Sequence, residues 1–175
     1  MILVTSKTAS EVKRWQKKLG LNTPYAIENG SAIYFPRKDF PEECFRGFNV
    51  EIENDMWSVV FGTPLAEIIQ LSASFTDHIS DLVNCSLKAA VSMTGLPIKD
   101  AKLAQQRKWT LPLYVKGSRE REKIALNALS VGLRCVFGGR FLHIQGECDK
   151  GLALEVIRKI YERRDKINYE VVAVG

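Results

Sequence analysis

Three short clusters hold the residues best suited to chemistry: Thr5-Ser6-Lys7-Thr8, Glu28-Asn29-Gly30 and Asp149-Lys150-Gly151. The first follows an apolar run, Ile2-Leu3-Val4, and Thr8 and Glu11 are spaced as a capping box that starts a helix. A hydroxyl beside free backbone N–H groups at a helix start makes an anion site, because those donors and the helix dipole favour negative charge. The second cluster follows Tyr25-Ala26-Ile27 and precedes a second apolar run, Ala32-Ile33-Tyr34-Phe35. In the third, Lys150 stands at the start of a helical pattern, against the dipole, where a phosphate would give the charge a reason. Each cluster also has a plainer reading: a helix cap, an Asn-Gly hairpin turn, and an Asp149 N-cap beside a solvated lysine. All three sit at the ends of regular elements, where open α/β sheets place ligands.

The elements that would position these clusters follow from the apolar pattern. Strand, helix and strand with short connections predict a doubly wound, Rossmann-like α/β unit over residues 1–46. Val12, Trp15 and Leu19 mark the face of its helix, and Gly20 stops it. The rhythm then changes. A strand near Phe48–Ile52 is followed by helical stretches opened by Thr63-Pro64, Ser86, Pro97 and Ser118, with Ile124, Leu126, Leu129 and Val131 expected to face a core. Thr110–Val115 reads as a strand, and Leu133–Phe137 and Phe141–Ile144 as a hairpin joined through Gly138-Gly139. Residues 47–145 therefore predict an inserted α+β unit. The α/β rhythm returns over 146–175, with a helix bearing Leu152, Leu154, Val156, Ile157 and Ile160 and a final β-rich run, Tyr169–Val174.

Composition narrows the functions. The chain has 175 residues, 46% hydrophobic and 26% charged, as expected of a folded globular protein. No 18-residue apolar run predicts a membrane span, and the N-terminus lacks the basic start of a secretory signal, so a cytoplasmic location is expected. Cys44, Cys85, Cys135 and Cys148 are scattered and read as reduced thiols. The net charge of +5 suits an anionic substrate or a nucleic acid. The densest basic cluster, Arg158 to Lys166, also holds Glu155, Glu162 and Asp165, which is the pattern of a solvated helix face. No nucleic-acid-binding module is recognisable, so no nucleic-acid partner is expected.

Taken together and in order, these stretches resemble haloacid-dehalogenase (HAD) phosphatases with a cap inserted between the second and third motifs. Within them the chain most resembles the mannosyl-3-phosphoglycerate phosphatases. The matching residues are Val4-Thr5-Ser6-Lys7-Thr8, Glu28-Asn29-Gly30-Ser31-Ala32-Ile33, Met93-Thr94-Gly95-Leu96-Pro97, Arg107-Lys108-Trp109-Thr110, Gly138-Gly139-Arg140-Phe141-Leu142-His143 and Asp149-Lys150-Gly151. The resemblance implies catalytic parts for Thr5, which hydrogen-bonds the transferring phosphoryl group, and for Lys150, which stabilises its charge. It implies substrate binding by Ser6, Lys7, Asn29, Gly30, Arg107, Arg140 and His143, the last two reading sugar and glycerate oxygens from the cap, for which the forked donors of arginine suit a carboxylate. Where the family tends to carry an acidic Arg-Glu-Tyr-Ser-Glu stretch, this chain reads Arg107-Lys108-Trp109-Thr110-Leu111, so a different substrate is open.

The resemblance also implies an Asp-x-Asp nucleophile on a first strand and a later acidic motif completing a Mg²⁺ site. No Asp-x-Asp occurs in this chain, and Gly175 falls one residue short of the place expected for the second motif. The expectation is a HAD core lacking its first strand, truncated at both ends, without metal ligands and inactive alone. Its incomplete sheet would leave an edge through which copies self-associate. The function implied is Mg²⁺-dependent hydrolysis of a phosphorylated mannosylglycerate-like sugar acid. A non-catalytic phosphosugar-binding or regulatory module and a basic nucleic-acid-binding α/β protein are the alternatives.

Overall fold

A computed structural model describes residues 1–174. Its elements run β1 (Leu3–Val4), α1 (Ala9–Leu19), β2 (Tyr25–Ile27), β3 (Ala32–Pro36), β4 (Val50–Glu53), β5 (Met56–Val60), α2 (Leu65–Thr76), α3 (Leu87–Thr94), α4 (Ile98–Ala104), β6 (Thr110–Leu113), α5 (Ser118–Ser130), β7 (Arg134–Gly138), β8 (Phe141–Gln145) and α6 (Lys150–Asp165). The fold is α/β, as expected. Two sheets organise it, in the orders β1-β2-β3-β5-β4 and β6-β8-β7.

The first sheet is mixed. Only β1 and β2 run parallel, in the register Leu3 with Tyr25; β2, β3, β5 and β4 are antiparallel neighbours. Alternation sorts its side chains between two helices. Ala26, Ile33, Phe35 and Val59 pack on Ala153, Val156, Ile157 and Ile160 of α6, while Tyr25, Ile27, Ala32 and Tyr34 meet Val12 of α1. The capping box forms as the spacing predicts: Thr8 accepts from the Glu11 amide and the Glu11 carboxylate accepts from Thr8 N, 2.9 Å away. Of the predicted apolar face of α1 only Val12 is buried; Trp15 and Leu19 are about half exposed.

Three sequence expectations need correction. The sheet extends through β4 and β5, which the sequence pattern assigned to the inserted unit, because β3 pairs with β5 over five residues, Ala32 with Val60 to Pro36 with Met56. The chain therefore leaves this sheet after Val60, beyond the expected boundary at residue 47. Second, Tyr169–Val174 form no strand and pair with none among the described residues; Val172 and Val174 are 87% and 96% exposed. The Tyr169 hydroxyl donates instead to Asp165, and its amide to Glu162. Gly175 lies outside the described residues. Third, Leu126 and Leu129 of α5 point to solvent; Ile124 and Ala128, four residues apart, are the buried pair.

The second sheet packs one face on α2 and α5, through Ile68, Leu111, Leu113, Leu142 and Ile144. Its hairpin turns at Gly139, φ 51°, as the Gly-Gly pair predicts. Phe141, on the other face, joins the cluster of α3 and α4. Ser86 caps α3 and Gly95 ends it at φ 71°. No helix among the described residues is long and apolar enough to cross a membrane.

Candidate functional site

The three clusters singled out in the sequence meet at the ends of β1 and β2 and the start of α6. Asn29 N donates to Thr5 O and Glu28 N to Lys7 O, both at 2.9 Å, so the first two turns are stitched backbone to backbone. Glu28, Asn29 and Gly30 form a 3-10 turn with φ values of 45°, 63° and 94°. Three successive residues in the left-handed region cost about 1–3 kcal/mol each for the non-glycines, so the surroundings must hold them.

They do so residue by residue. Glu28 is fully buried, and its carboxylate accepts from Lys108 N at 3.0 Å, Trp109 N at 3.1 Å and Thr110 Oγ1 at 2.8 Å. Asn29 Nδ2 donates to Gln145 Oε1 at 2.9 Å. Gly30 sits against the backbone of Asp149, where a Cβ would overlap the carbonyl oxygen. Asp149 caps α6, its Oδ1 accepting from Leu152 N at 2.8 Å. Lys150, the first residue of α6, is exposed and has no ion-pair partner among the described residues. A lysine left free at a helix N-terminus is the cation that the local dipole disfavours and that an anion would stabilise.

The other expected ligands divide. Thr5 Oγ1 accepts from Lys7 N at 3.3 Å, and the Thr5 amide donates to Ala26 O, which continues the parallel pairing past Val4. The ammonium of Lys7 pairs with Glu11 at 3.1 Å. Arg107 is a clamp: its Nη1 donates to Ser6 O and Thr110 Oγ1, and its Nε to Ala104 O. Burial pulls its guanidinium below the ordinary arginine value, against the pull of Glu28 and Glu11. Arg140 lies apart. It is exposed at the β7–β8 turn, donating to Met93 O at the end of α3, and the length of β8, about 16 Å at ~3.3 Å per residue, separates it from Gln145.

His143 lies between these groups, buried, with Nδ1 lacking any partner. Burial, then the charges of Arg107 and Lys150, push its pKa down to about 3. The imidazole is thus neutral at pH 7. The folded pKa lies below the usual 6.5, so the unfolded chain binds the extra proton between those values and stability falls as pH drops below about 6.5. Unfolding free energy should therefore be roughly 2 kcal/mol lower at pH 5 than at pH 7.5 on this account, and urea titrations at the two pH values should find much of that difference gone in His143→Gln.

Two central residues escaped the sequence reading, Glu28 as a ligand-organising carboxylate and Gln145 altogether. A buried acid in a turn needs several donors, but those donors lie 80 residues away at Lys108–Thr110 and carry no local signal. Three carboxylates beside the site are engaged: Glu11 by Thr8 and Lys7, Glu28 by its three donors, Asp149 by the α6 cap. Among the described residues no three His, Cys, Asp or Glu side chains gather where they could hold a metal ion.

No protein-family model matches the chain. It is 32% identical over 167 residues to a glucosyl-3-phosphoglycerate/mannosyl-3-phosphoglycerate phosphatase of Persephonella marina, a match covering 93% of this chain and 60% of that protein. It is 28% identical over 182 residues to a mannosyl-3-phosphoglycerate phosphatase of Pyrococcus furiosus, covering 100% of this chain and 69% of the relative. The chain is thus similar, over nearly its whole length, to mannosyl-3-phosphoglycerate phosphatases. It spans about 60% of the length of the first relatives it matches. A crystal structure of a Thermoplasma acidophilum protein superposes with a TM-score of 0.58 at 15% identity, covering 92% of this chain and 56% of that one, which is a likeness of fold. The match to the Pyrococcus furiosus relative covers the whole chain and so includes all three turns.

Proposed function

We propose that this chain carries the phosphate-recognition part of a phosphomonoester hydrolase of the mannosyl-3-phosphoglycerate phosphatase type, acting on an anionic phosphorylated sugar acid. The observation that carries this reading is Lys150, a cation without an ion-pair partner among the described residues, at the start of α6 held against the turn that contains Asn29. In this reading the Lys150 ammonium and the Thr5 hydroxyl contact the phosphoryl oxygens, and Asn29 binds beside them. Ser6 and Lys7 line the same edge, while Gly30 lets α6 approach. His143 and Arg140, with Arg107 behind them, extend along β8 toward the sugar and glycerate. The Lys108-Trp109 stretch, whose amides are spent on Glu28, leaves the sugar preference open.

Glu11, Glu28 and Asp149 hold structure, so the nucleophile is assigned to none of them. The Mg²⁺ expected from the resemblance has no ligand set among the described residues, and what is proposed for them is binding. The engagement of these three acids favours a second reading, a module that binds a phosphosugar without turning it over.

Calorimetry with mannosyl-3-phosphoglycerate in metal-free buffer tests the site. Binding should weaken about 10- to 100-fold in Lys150→Ala, the worth of a charge-assisted contact; equal affinity in the two proteins would refute the assignment. Phosphate release on adding Mg²⁺, abolished in Lys150→Ala, would favour the hydrolase. Binding with no release would favour the module.

A further inference from the structure

Gln145 is a fully buried side chain, and the roles assigned above leave it without one. Its Nε2 donates to Cys148 O at 2.7 Å, and its Oε1 accepts from Asn29 Nδ2 at 2.9 Å. A backbone carbonyl can only accept, so Cys148 O dictates which end of the Gln145 amide faces it. The other end, Oε1, can only accept in turn, so Asn29 must offer it an N–H. One main-chain oxygen thus fixes the orientation of two buried amides in series.

That oxygen is itself held in place. Cys148 N donates to Gly146 O in a tight turn, and Cys148 Sγ lies 3.3 Å from Ser31 Oγ, which donates to Glu28 O at 2.6 Å. Cys148 is followed directly by the Asp149 cap and Lys150. Gln145 also closes β8, in register with Thr110 on β6, the residue whose hydroxyl reaches Glu28. The strand from the second sheet therefore ends where the two phosphate-site turns meet.

We infer that Gln145 is a positioning residue of the proposed phosphate site: it sets which way the Asn29 amide faces and ties that amide to the start of α6, where Lys150 stands. The inference rests on the phosphate-site reading above. With Gln145 in place, one N–H of Asn29 is taken, and the remaining N–H and Oδ1 have a single defined arrangement to offer a ligand. Without it, the Asn29 amide can turn over and present the wrong group to an anion.

The test uses the full chain, ¹⁵N-labelled, with inorganic phosphate as the probe. In the ligand-free protein the Asn29 side-chain amide should exchange slowly with solvent, and Gln145→Met, which keeps length and burial but neither polar end, should release it. Phosphate affinity should fall about 10-fold in Gln145→Met, the effect of one lost hydrogen bond. The double variant with Asn29→Ala should bind no more weakly than Asn29→Ala alone, because both changes remove one device. Gln145→Glu supplies a second arm that survives if the methionine variant folds poorly. Its carboxylate cannot donate to Cys148 O at pH 8, but its protonated form can. Its affinity relative to wild type at the same pH should therefore recover as pH is lowered to 5. Unchanged Asn29 exchange or unchanged phosphate affinity in Gln145→Met, additive losses in the double variant, or a loss in Gln145→Glu that ignores pH would each overturn the inference. A wild-type chain with a protected Asn29 amide that binds no phosphate would overturn the phosphate-site reading instead.

Discussion

Gly30→Ala should destabilise the fold by about 2–6 kcal/mol and disable the phosphate site in the molecules that still fold. Two separate causes add. Gly30 has φ 94°, a conformation that costs an alanine about 1–3 kcal/mol. Its missing Cβ is also the space through which α6 approaches: a methyl group there would overlap the Asp149 carbonyl oxygen, lie 2.7 Å from its carbon, and press on Ala153 Cβ at 3.2 Å. The backbone of Asp149 cannot yield alone, because its side chain caps α6 and Lys150 follows it. Relief would come by moving the start of α6 away from the turn, carrying Lys150 with it. Gly139→Ala is the matched control. It also has positive φ, 51°, but nothing lies within 4 Å of an added Cβ, so only the conformational cost of about 1 kcal/mol should appear. Urea unfolding of both variants, with phosphate titration of each, separates the effects: loss of binding confined to Gly30→Ala is expected, and equal behaviour of the two would show that the close approach has no consequence.

The close approach also marks the boundary between what the sequence could convey and what it could not. Local chemistry was legible. Thr8 and Glu11 make their capping box, Ser86 and Gly95 bracket α3, and Gly138-Gly139 turn the β7–β8 hairpin, because each depends on residues within four positions of one another. The three turns that meet at the start of α6 were legible as turns for the same reason, and α/β was legible from the apolar rhythm. Three kinds of feature were not. The sheet extends past residue 47 because β3 keeps pairing to Pro36, a decision made by a partner strand, β5, whose Met-Trp-Ser-Val-Val carries no clean alternation. Tyr169–Val174 has the composition of a strand but no neighbour to pair with, and composition cannot supply one. On α5 the exposed Leu126 and Leu129 mislead a pattern reading, since a leucine on the surface is common and only a buried polar group is informative. The site itself depends on such buried polar groups, Glu28 and Gln145, whose partners lie 80 residues or more away.

Glu28→Ala is expected to cost about 3–6 kcal/mol, the largest effect of any single polar truncation in this chain. Its carboxylate is the common acceptor of three donors, Lys108 N, Trp109 N and Thr110 Oγ1, all from the segment that leads into β6. Removing it leaves two backbone N–H groups and a hydroxyl without their acceptor; a buried donor left unmade costs about 1–3 kcal/mol, and partial rescue by water keeps the sum below the maximum. The neighbouring Arg107 suffers too. Its guanidinium is drawn below its ordinary pKa by burial, and Glu28 is the first of the two acids that oppose this. With Glu28 gone that charge stands beside Glu11 alone, and its bond to Ser6 O, the tie between the first turn and residues 104–110, loses its electrostatic support. Glu28→Gln separates charge from shape. It keeps one oxygen acceptor but turns an NH₂ group on at least one of the former donors, so an intermediate loss is expected. Hydrogen exchange gives the readout that a general loss of stability would not: the Lys108 and Trp109 amides should lose protection in Glu28→Ala well before the amides of β3 and β5 do. Uniform loss across both sheets would mean that Glu28 merely fills space. Selective loss would identify it as the post to which the second sheet's entry is tied, set one residue before Asn29, whose amide meets Gln145.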